Sequence, residues 1–246
     1  MNKPFKSYNG GKAGNGTYQQ IINHIPKHDV FVDAMVGNGG IFFNLKLPGL
    51  TVINDVDSCI IEKYRSLTVK NDDSGHGRSI TIENDDYAGI IAKYDDMIRK
   101  VFFYFDPPYL KETRKSQKDL YKFEWTEDDH IIFLNKALTV RNDVMISHYP
   151  CALYDSILHE WITHDFESQT RNGKAIERIY MNYPKPDVLQ DFRYLGKDYR
   201  ERQRIKRKIE RQLQKLKNMP SDERAGILSA VIAKYDVTAG VLLGKL

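Results

Sequence analysis

Short apolar runs alternate with segments of helical periodicity through residues 28–183. The runs typical of strands lie at 29–35, 51–57, 79–85, 101–105 and 143–149. Segments in which apolar residues recur three and four positions apart lie at 58–68, about 87–99, 126–139 and 150–160. Alternation of this kind predicts parallel strands with helices on both faces of the sheet.

The last of these patterns is a hairpin. The segment WITHDFESQTRNGKAIERIYMNY (161–183) contains two strand-like stretches around Asn172-Gly173, a pair typical of a tight hairpin turn. The sequence therefore predicts an α/β fold with a doubly wound, mostly parallel sheet that ends in an antiparallel hairpin. A helix is expected to begin near Thr126, since three acidic residues follow it.

From Pro184 onward the composition changes. Residues 199–217 contain nine Lys or Arg and two Glu, and the apolar positions recur at helical spacing, at Ile205, Ile209, Leu213 and Leu216. This pattern predicts an amphipathic basic helix, and a second helix is expected to follow Ser221. We therefore predict two parts, an α/β domain over 1–184 and a basic helical C-terminal extension over 185–246.

Composition excludes several classes of protein. The 246 residues contain no apolar run near the roughly 20 residues that a membrane span requires, and the N-terminus lacks the apolar core of a signal peptide. The only cysteines, Cys59 and Cys151, lie far apart and form no spacing motif, so we expect a reduced, cytoplasmic protein. The net charge of +4 suits a polyanionic partner without proving one.

Unusual chemistry follows the apolar run VFFYF, which leads directly into Asp106, Pro107, Pro108 and Tyr109. The prolines fix the backbone and remove two N–H donors, which leaves the Asp106 carboxylate and the Pro107 carbonyl as acceptors. A tyrosine ring stands beside these acceptors. The combination predicts a site for a planar NH2 group, whose hydrogens bind the acceptors while its plane stacks on the ring.

Two other predicted strands also end in carboxylates. Asp33 leads into a turn with Gly37 and Gly39, which allow close approach to a ligand, although an ordinary glycine-rich turn would contain the same residues. Asp55 stands near the distance from this turn at which an acidic residue binds a ribose diol; a helix N-cap is the alternative role. Because ligands bind beyond the carboxyl ends of strands in such sheets, these residues are expected to share one site.

The segment FDPPY resembles the catalytic motif of amino-methylating DNA methyltransferases, which use S-adenosylmethionine. PFKSYNGGK (4–12) resembles the N-terminal cofactor motif of the Dam-type adenine methyltransferases, with Tyr8 where tryptophan is usual. FVDAMVGNGGIFFN (31–44) resembles their glycine motif, with Met35 in place of phenylalanine, and INDVD (53–57) their ribose-binding segment. The resemblance extends over about 4–184 and implies a Rossmann-like methyltransferase fold.

The resemblance also implies roles for residues. The catalytic residues would be Asp106, Pro107, Pro108 and Tyr109. The cofactor would bind Tyr8, Gly10, Gly11, Lys12, Asp33, Gly37, Gly39, Asp55 and Asp86, the last being favoured over Asp85 as the acidic residue near the cofactor adenine. No metal is expected, because the seven histidines form no paired-ligand pattern.

The implied function is transfer of a methyl group to N6 of adenine in double-stranded DNA, with the base flipped out and stacked on Tyr109. N4 methylation of cytosine and a catalytically inactive nucleic-acid-binding relative remain alternatives. The family resemblance suggests a bacterial or phage-encoded cytoplasmic enzyme. Its oligomeric state and its role, whether in restriction-modification, phage protection or regulation, are open.

A basic loop and the basic helix are candidate DNA contacts. The loop over 110–125 would offer Lys111, Arg114, Lys115, Lys118 and Lys122 to phosphates, although a solvated loop has the same composition. The helix over 199–217 could bind the DNA backbone or be a solvated amphipathic helix packed on the core. Only 50 residues separate Asp55 from Asp106, which leaves no room for an inserted recognition domain. We therefore expect methylation at a short or degenerate sequence.

Overall fold

A computed structural model describes residues 10–14, 16–68, 79–114, 118–170 and 173–235. The chain divides into two compact units, Met1–Tyr194 and Leu195–Leu246. The first unit contains seven strands, β1 (Val30–Asp33), β2 (Leu50–Asn54), β3 (Ser79–Glu83), β4 (Val101–Phe105), β5 (Asp143–His148), β6 (Ile162–Thr170) and β7 (Gly173–Met181). Its α-helices are α1 (Thr17–Ile22), α2 (Ser58–Thr68), α3 (Tyr87–Tyr94), α4 (Glu127–Leu138) and α5 (Ala152–Ile157).

The strands form one sheet in the order β3-β2-β1-β4-β5-β7-β6. β1 pairs in parallel with both β2 and β4, and β7 is antiparallel to both of its neighbours, β5 and β6. The predicted fold class, a doubly wound and mostly parallel sheet that ends in an antiparallel hairpin, is confirmed. The strand order reverses between β1 and β4, and this reversal creates a crevice at their carboxyl ends.

Apolar side chains on both faces hold the sheet between its helices. Along β4, Phe103 and Phe105 pack in a core cluster with Phe133 of α4, whereas Phe102 and Tyr104 pack in another cluster with Ile21 of α1. All five residues of β4 are buried. The apolar run VFFYF is continuous, and not alternating, because both faces of this central strand are covered.

Helix boundaries differ from the predicted ones in places. α3 ends at Tyr94 and not near 99, because the Asp95 carboxylate accepts hydrogen bonds from Arg141 N (3.1 Å) and Asn142 Nδ2 (2.8 Å), which tie the chain to the start of β5. The six-residue helix α1 has no counterpart in the sequence prediction. The predicted start of α4 is confirmed, since Thr126 and Asp129 form a reciprocal capping box.

The first unit extends past Pro184. Leu189 forms an antiparallel bridge with Pro26, Gln190 N donates to Ile25 O (3.0 Å), and the Asp191 carboxylate accepts from Lys46 N (2.9 Å). These bonds attach residues 189–191 to the first unit, so the compact unit ends at Tyr194, later than the predicted domain boundary at 184. The separate folding of the two predicted domains remains a prediction.

Over its described residues, 195–235, the second unit contains two helices, α6 (Tyr199–Lys217) and α7 (Ser221–Tyr235). The Asp198 carboxylate caps α6 by accepting a hydrogen bond from Glu201 N (2.8 Å). None of the residues of α6 is buried. The predicted helical extension is thus present. In the described part of the chain no helix is long and apolar enough to cross a membrane.

Candidate active site

Three carboxylates meet at the carboxyl ends of neighbouring strands. Asp33 ends β1, Asp55 follows β2 and Asp106 follows β4. All three line one cavity of about 380 Å³, a size within the range of roughly 300–1,000 Å³ typical of small-molecule sites. The predicted convergence of these strand ends is therefore present in the fold.

Glycines bring two loops together beside this cavity. Gly37 and Gly39 have positive φ angles of 47° and 66°, which residues with a side chain rarely adopt. A Cβ atom on Gly40 would lie 2.9 Å from the backbone carbonyl carbon of Lys12 and from Ala13 N. The glycine turn and the segment around Lys12 can approach this closely only because Gly40 has no side chain.

Asp33 is buried and incompletely paired. Its Oδ1 atom has no hydrogen-bond partner among the described residues. Burial, together with the nearby charges of Asp106 and Asp55, raises the pKa of Asp33 well above its usual value. A buried carboxylate of this kind is costly unless a donor or a cation binds it, so Asp33 marks a position where a ligand can provide one.

Asp55 connects two turns. Its Oδ2 atom accepts a hydrogen bond from Gly37 N (3.0 Å) and its Oδ1 atom accepts one from Asp57 N (2.9 Å). Burial raises the pKa of Asp55, although these backbone bonds oppose the shift. Asp57, and not Asp55, stands at the start of α2, where its carboxylate accepts from Cys59 N (3.0 Å). The alternative role of Asp55 as the helix N-cap is therefore not what the structure shows.

Asp106 is held through one of its oxygens. Its Oδ1 atom lies 2.7 Å from Lys12 Nζ and accepts a hydrogen bond from Ser147 Oγ (2.9 Å). Ser147 Oγ in turn lies 2.9 Å from the hydroxyl of Tyr104. Burial raises the pKa of Asp106, although Lys12 opposes this shift. Among the described residues these bonds all go to Oδ1, which leaves Oδ2 as an acceptor for a ligand.

Lys12 lies between two carboxylates. Its Nζ atom is 3.7 Å from Glu177 Oε2, in addition to its contact with Asp106, and lies 4.6 Å from the centroid of the Tyr109 ring. Burial alone would lower the pKa of Lys12, but the charges of Asp106 and Glu177 outweigh burial and raise it. Lys12 is therefore a protonated, buried cation shared by two acids.

Tyr109 is packed on several sides. Its hydroxyl donates to Glu177 Oε2 (3.0 Å), and its ring centroid lies 4.8 Å from that of His148 and 4.6 Å from that of Tyr149. The ring is buried, so a base could stack on it only after neighbouring side chains move. The predicted stacking role of Tyr109 remains a prediction.

His148 fixes the chain after the two prolines. Its Nε2 atom accepts a hydrogen bond from Leu110 N (2.9 Å), and its Nδ1 atom lies 2.7 Å from Tyr149 O. Burial lowers the pKa of His148 to about 3, which keeps the imidazole neutral as this acceptor role requires. The bond holds the backbone that follows Tyr109, so His148 fixes the position of the chain just after the segment 106–109.

Most residues of the predicted site line the cavity. These are Gly10, Gly11, Lys12, Asp33, Gly37, Asp55, Asp86, Asp106, Pro107 and Pro108. Gly39 and Tyr109 are not among the lining residues, and Tyr8 lies outside the described residues. Asp86 caps α3 by accepting from Gly89 N (2.7 Å), and Asp85 lines the same cavity, so the geometry does not distinguish the two as binders of the cofactor adenine.

Several residues of the site were missed by sequence reasoning. Ser147, His148 and Glu177 contact the segment 106–110. Tyr87 also lines the cavity, together with the loop aromatics Tyr121, Phe123 and Trp125. Ser147 and His148 end β5, beside β4, so their position at a strand end was the available signal. Glu177 lies within β7, where it is a buried charge in a strand.

Three basic residues of the loop over 110–125 form ion pairs within the fold. Arg114, predicted to contact phosphates, is buried and forms a double hydrogen bond with Glu124 (3.0 and 2.9 Å). Lys122 pairs with Asp57 (2.8 Å) and Lys111 with Asp119 (2.5 Å). Lys118 also has an interaction, and Lys115 lies outside the described residues. The arrangement of Arg114 corrects the expectation for that residue, because a buried, doubly bonded guanidinium does not face a DNA backbone.

Residues 71–171 match the family model of D12 class N6 adenine-specific DNA methyltransferases. The match includes the segment FDPPY and confirms the resemblance to Dam-type enzymes over this region, which is less than half of the chain. The match supports the assignment of this chain as a methyltransferase. A search of curated protein sequences found no match.

Solved structures with similar folds include a SAM-dependent methyltransferase from Methanosarcina mazei. It has a TM-score of 0.44 and 9% identity, over 66% of this chain and 95% of that one. Magnesium protoporphyrin IX methyltransferase from Synechocystis, solved with bound SAM, has a TM-score of 0.41 and 14% identity, over 67% of this chain and 73% of that one. At these scores neither match bears on the substrate.

Proposed function

We propose that the protein transfers a methyl group from S-adenosylmethionine to N6 of adenine in DNA. The observation that carries this proposal is the Asp106 carboxylate, which lines the cavity and is held through Oδ1, so that Oδ2 keeps its capacity to accept a hydrogen bond. The family match over 71–171 supports the same substrate class.

The residues at the strand ends fit S-adenosylmethionine. The unpaired oxygen of Asp33 suits a cationic or donor group, and the turn with Gly37 lets the backbone approach a ligand closely. Asp55 retains acceptor capacity for a ribose diol, because each carboxylate oxygen can accept more than one hydrogen bond. Tyr87 and Trp125 line the cavity and would provide aromatic surface for a nucleobase. When bound, the cofactor supplies a methyl group activated by a positively charged sulfur.

The target amine requires acceptors and no prior deprotonation. Its lone pair is delocalised into the ring, so it is a weak nucleophile until the nitrogen becomes pyramidal. Hydrogen bonds from the amine to Asp106 Oδ2 and to the Pro107 carbonyl favour that geometry and stabilise the positive charge that develops on nitrogen. Pro107 and Pro108 keep these acceptors in place because their backbone angles are restricted.

The DNA duplex would be bound with its target base flipped out, since the amine is not accessible within the base stack. Entry of the base requires the packing around Tyr109 to open, and Tyr149, which is only half-buried, is the neighbour best placed to move. The basic helix α6 would attract the DNA backbone. The described residues of the first unit include no large insertion between β2 and β4, which supports a short or degenerate target sequence.

Methylation of cytosine at N4 is the second candidate. The acceptors around Asp106 suit any exocyclic amine, so the geometry alone does not exclude it. An aspartate rather than a serine at the first position of the motif favours adenine, as the resemblance to Dam-type enzymes implies. Mass spectrometry of nucleosides from DNA methylated by the protein would separate N6-methyladenine from N4-methylcytosine.

The proposal is tested by Asp106→Ala. Loss of this acceptor should lower methyl transfer to duplex DNA at least about 100-fold, while calorimetry should show that S-adenosylmethionine still binds. Asp128→Ala, which removes an exposed carboxylate on α4, is the control and should leave the rate unchanged. Near-normal activity of Asp106→Ala would contradict the mechanism, and a wild-type protein that does not bind the cofactor would instead be an inactive relative.

A further inference from the structure

We infer that Glu177 is a positioning residue whose negative charge acts through Lys12 to leave Asp106 a strong acceptor for the target amine. The inference rests on the proposed methyl transfer. It adds a role for a residue of the antiparallel strand β7, which lies beyond the residues of the family match and to which the sequence analysis assigned no role.

The geometry of the cluster is specific. Glu177 is buried, with its Oε2 atom 3.7 Å from Lys12 Nζ and 3.0 Å from the Tyr109 hydroxyl. Lys12 is also buried, and its Nζ atom lies closer to Asp106 Oδ1, at 2.7 Å. One cation is therefore shared by two carboxylates, and the tyrosine of the catalytic motif is bonded to the second of them.

The second carboxylate changes the net charge of the cluster. Lys12 and Asp106 alone would form a neutral pair, and a neutral pair gains little from a positive charge that develops on the target nitrogen. Glu177 brings the cluster to a net charge of −1. In a water-excluded site such a charge stabilises a developing cation more strongly than it would in water.

A purely structural role for Glu177 predicts a different result. If Glu177 only held the Tyr109 hydroxyl, glutamine would serve equally well, because its amide oxygen also accepts a hydrogen bond. The charge matters only if Glu177 acts on Lys12 and Asp106. Glu177→Gln preserves the shape of the side chain and one acceptor, so it separates the two roles.

Other groups around Asp106 remain in place in this variant. Those that face it are Lys12 from the loop before α1, Asp33 of β1, Tyr104 of β4, Ser147 of β5, and Tyr109, Tyr121 and Tyr149 from the surrounding loops. Burial is the largest influence on the pKa of Asp106 and raises it. Lys12 lowers this pKa, and Glu177 raises it. Its neutralisation should therefore lower that pKa and move the acid limb of the rate profile to lower pH.

The experiment compares wild type, Glu177→Gln, Glu177→Asp and the control Glu167→Gln. Glu167 is an exposed carboxylate on the neighbouring strand β6, so its variant should match wild type. Glu177→Gln should lower kcat by about tenfold or more, because the developing positive charge loses a stabilising negative charge, and it should shift the acid limb to lower pH. Cofactor affinity should not change, and Glu177→Asp, which keeps the charge, should lose less activity.

Carbon-13 NMR of the Asp106 carboxyl gives a measurement that does not depend on catalysis. Its apparent pKa should be lower in Glu177→Gln than in wild type. An unchanged titration, or equal losses of kcat in the Gln and Asp variants, would overturn the inference. A wild-type protein that does not methylate DNA would contradict the proposed function, while the NMR titration would still test the electrostatic link between Glu177 and Asp106.

Discussion

Two basic stretches of the chain, the loop over 110–125 and helix α6, have similar compositions but use their charges in different ways. In the loop, the Arg114 side chain is 4% exposed and is bonded twice to Glu124, while Lys122 pairs with Asp57. In α6, which has no buried residue, nine Lys or Arg stand against two Glu. Basic side chains that pair with acidic ones inside the fold hold a segment in place. Exposed basic side chains that outnumber their acidic neighbours remain available to a polyanion.

The arginines of α6 are also arranged on one face. Arg200, Arg204, Arg207 and Arg211 recur at helical spacing, opposite the apolar positions Ile205 and Ile209. Two basic side chains of this helix have an acidic partner among the described residues. Arg204 lies 3.3 Å from Glu201, and Lys206 lies 3.9 Å from Glu210. We therefore expect DNA phosphates to be attracted by α6 more than by the loop.

Lowering the pH should have the largest effect on the free energy of unfolding, and this effect should be confined to the first unit. Burial lowers the pKa of the histidines His24, His28 and His130 to about 4, and that of His148 to about 3. The unfolded chain therefore takes up protons first as the pH falls below about 6.5, and the folded state loses stability until the pH reaches these lower values. Each histidine should contribute a loss of about 1.4 kcal/mol per pH unit within that window.

Urea unfolding at several pH values checks this effect. Trp125 and Trp161, the only tryptophans, both lie in the first unit, so their fluorescence follows that unit alone. His28→Asn should reduce the dependence on pH, whereas His159→Asn, at an exposed position, should not. Residues 195–246 contain no histidine, and equal acid sensitivity of their helical signal would contradict the contrast between the two units.

Breaking the ion pair between Arg114 and Glu124 in the loop should have the next largest effect on stability. Arg114→Met leaves the Glu124 carboxylate without its main partner and should lower the free energy of unfolding by about 3–5 kcal/mol. Lys174→Met breaks an exposed pair with Glu167 and should cost no more than about 1 kcal/mol. Similar losses in the two variants would mean that the Arg114 pair does not hold the loop.

Neutralising the arginine face of α6 should change DNA binding with little change in stability. In a variant with Arg200, Arg204, Arg207 and Arg211 replaced by Gln, the slope of log affinity against log salt should become shallower by about 0.9 for each DNA phosphate that the helix no longer neutralises. Lys111→Gln, at a paired position of the loop, should leave the slope unchanged. An unchanged slope in the α6 variant together with a shallower slope in Lys111→Gln would assign the attraction of DNA to the loop. It would also show that α6 faces solvent or a protein partner.

The amino-acid sequence is sufficient to predict the strands and the ends where chemistry lies. The run VFFYF before Asp106 indicated a strand covered on both faces, and the structure shows all five of its residues buried. The carboxylates Asp33, Asp55 and Asp106 were expected at one edge because parallel strands align their carboxyl ends. These features depend on local pattern and on sheet geometry, which a sequence displays directly.

The pairing of charges was decided only by the tertiary structure. Lys122 binds Asp57, 65 positions away, and Lys12 lies between Asp106 and Glu177. No periodicity identifies such partners, since the packing of distant segments determines which donor meets which acceptor. The sequence thus located the carboxylate of the site and the basic segments, and the fold determined which of those charges neutralise one another and which remain exposed.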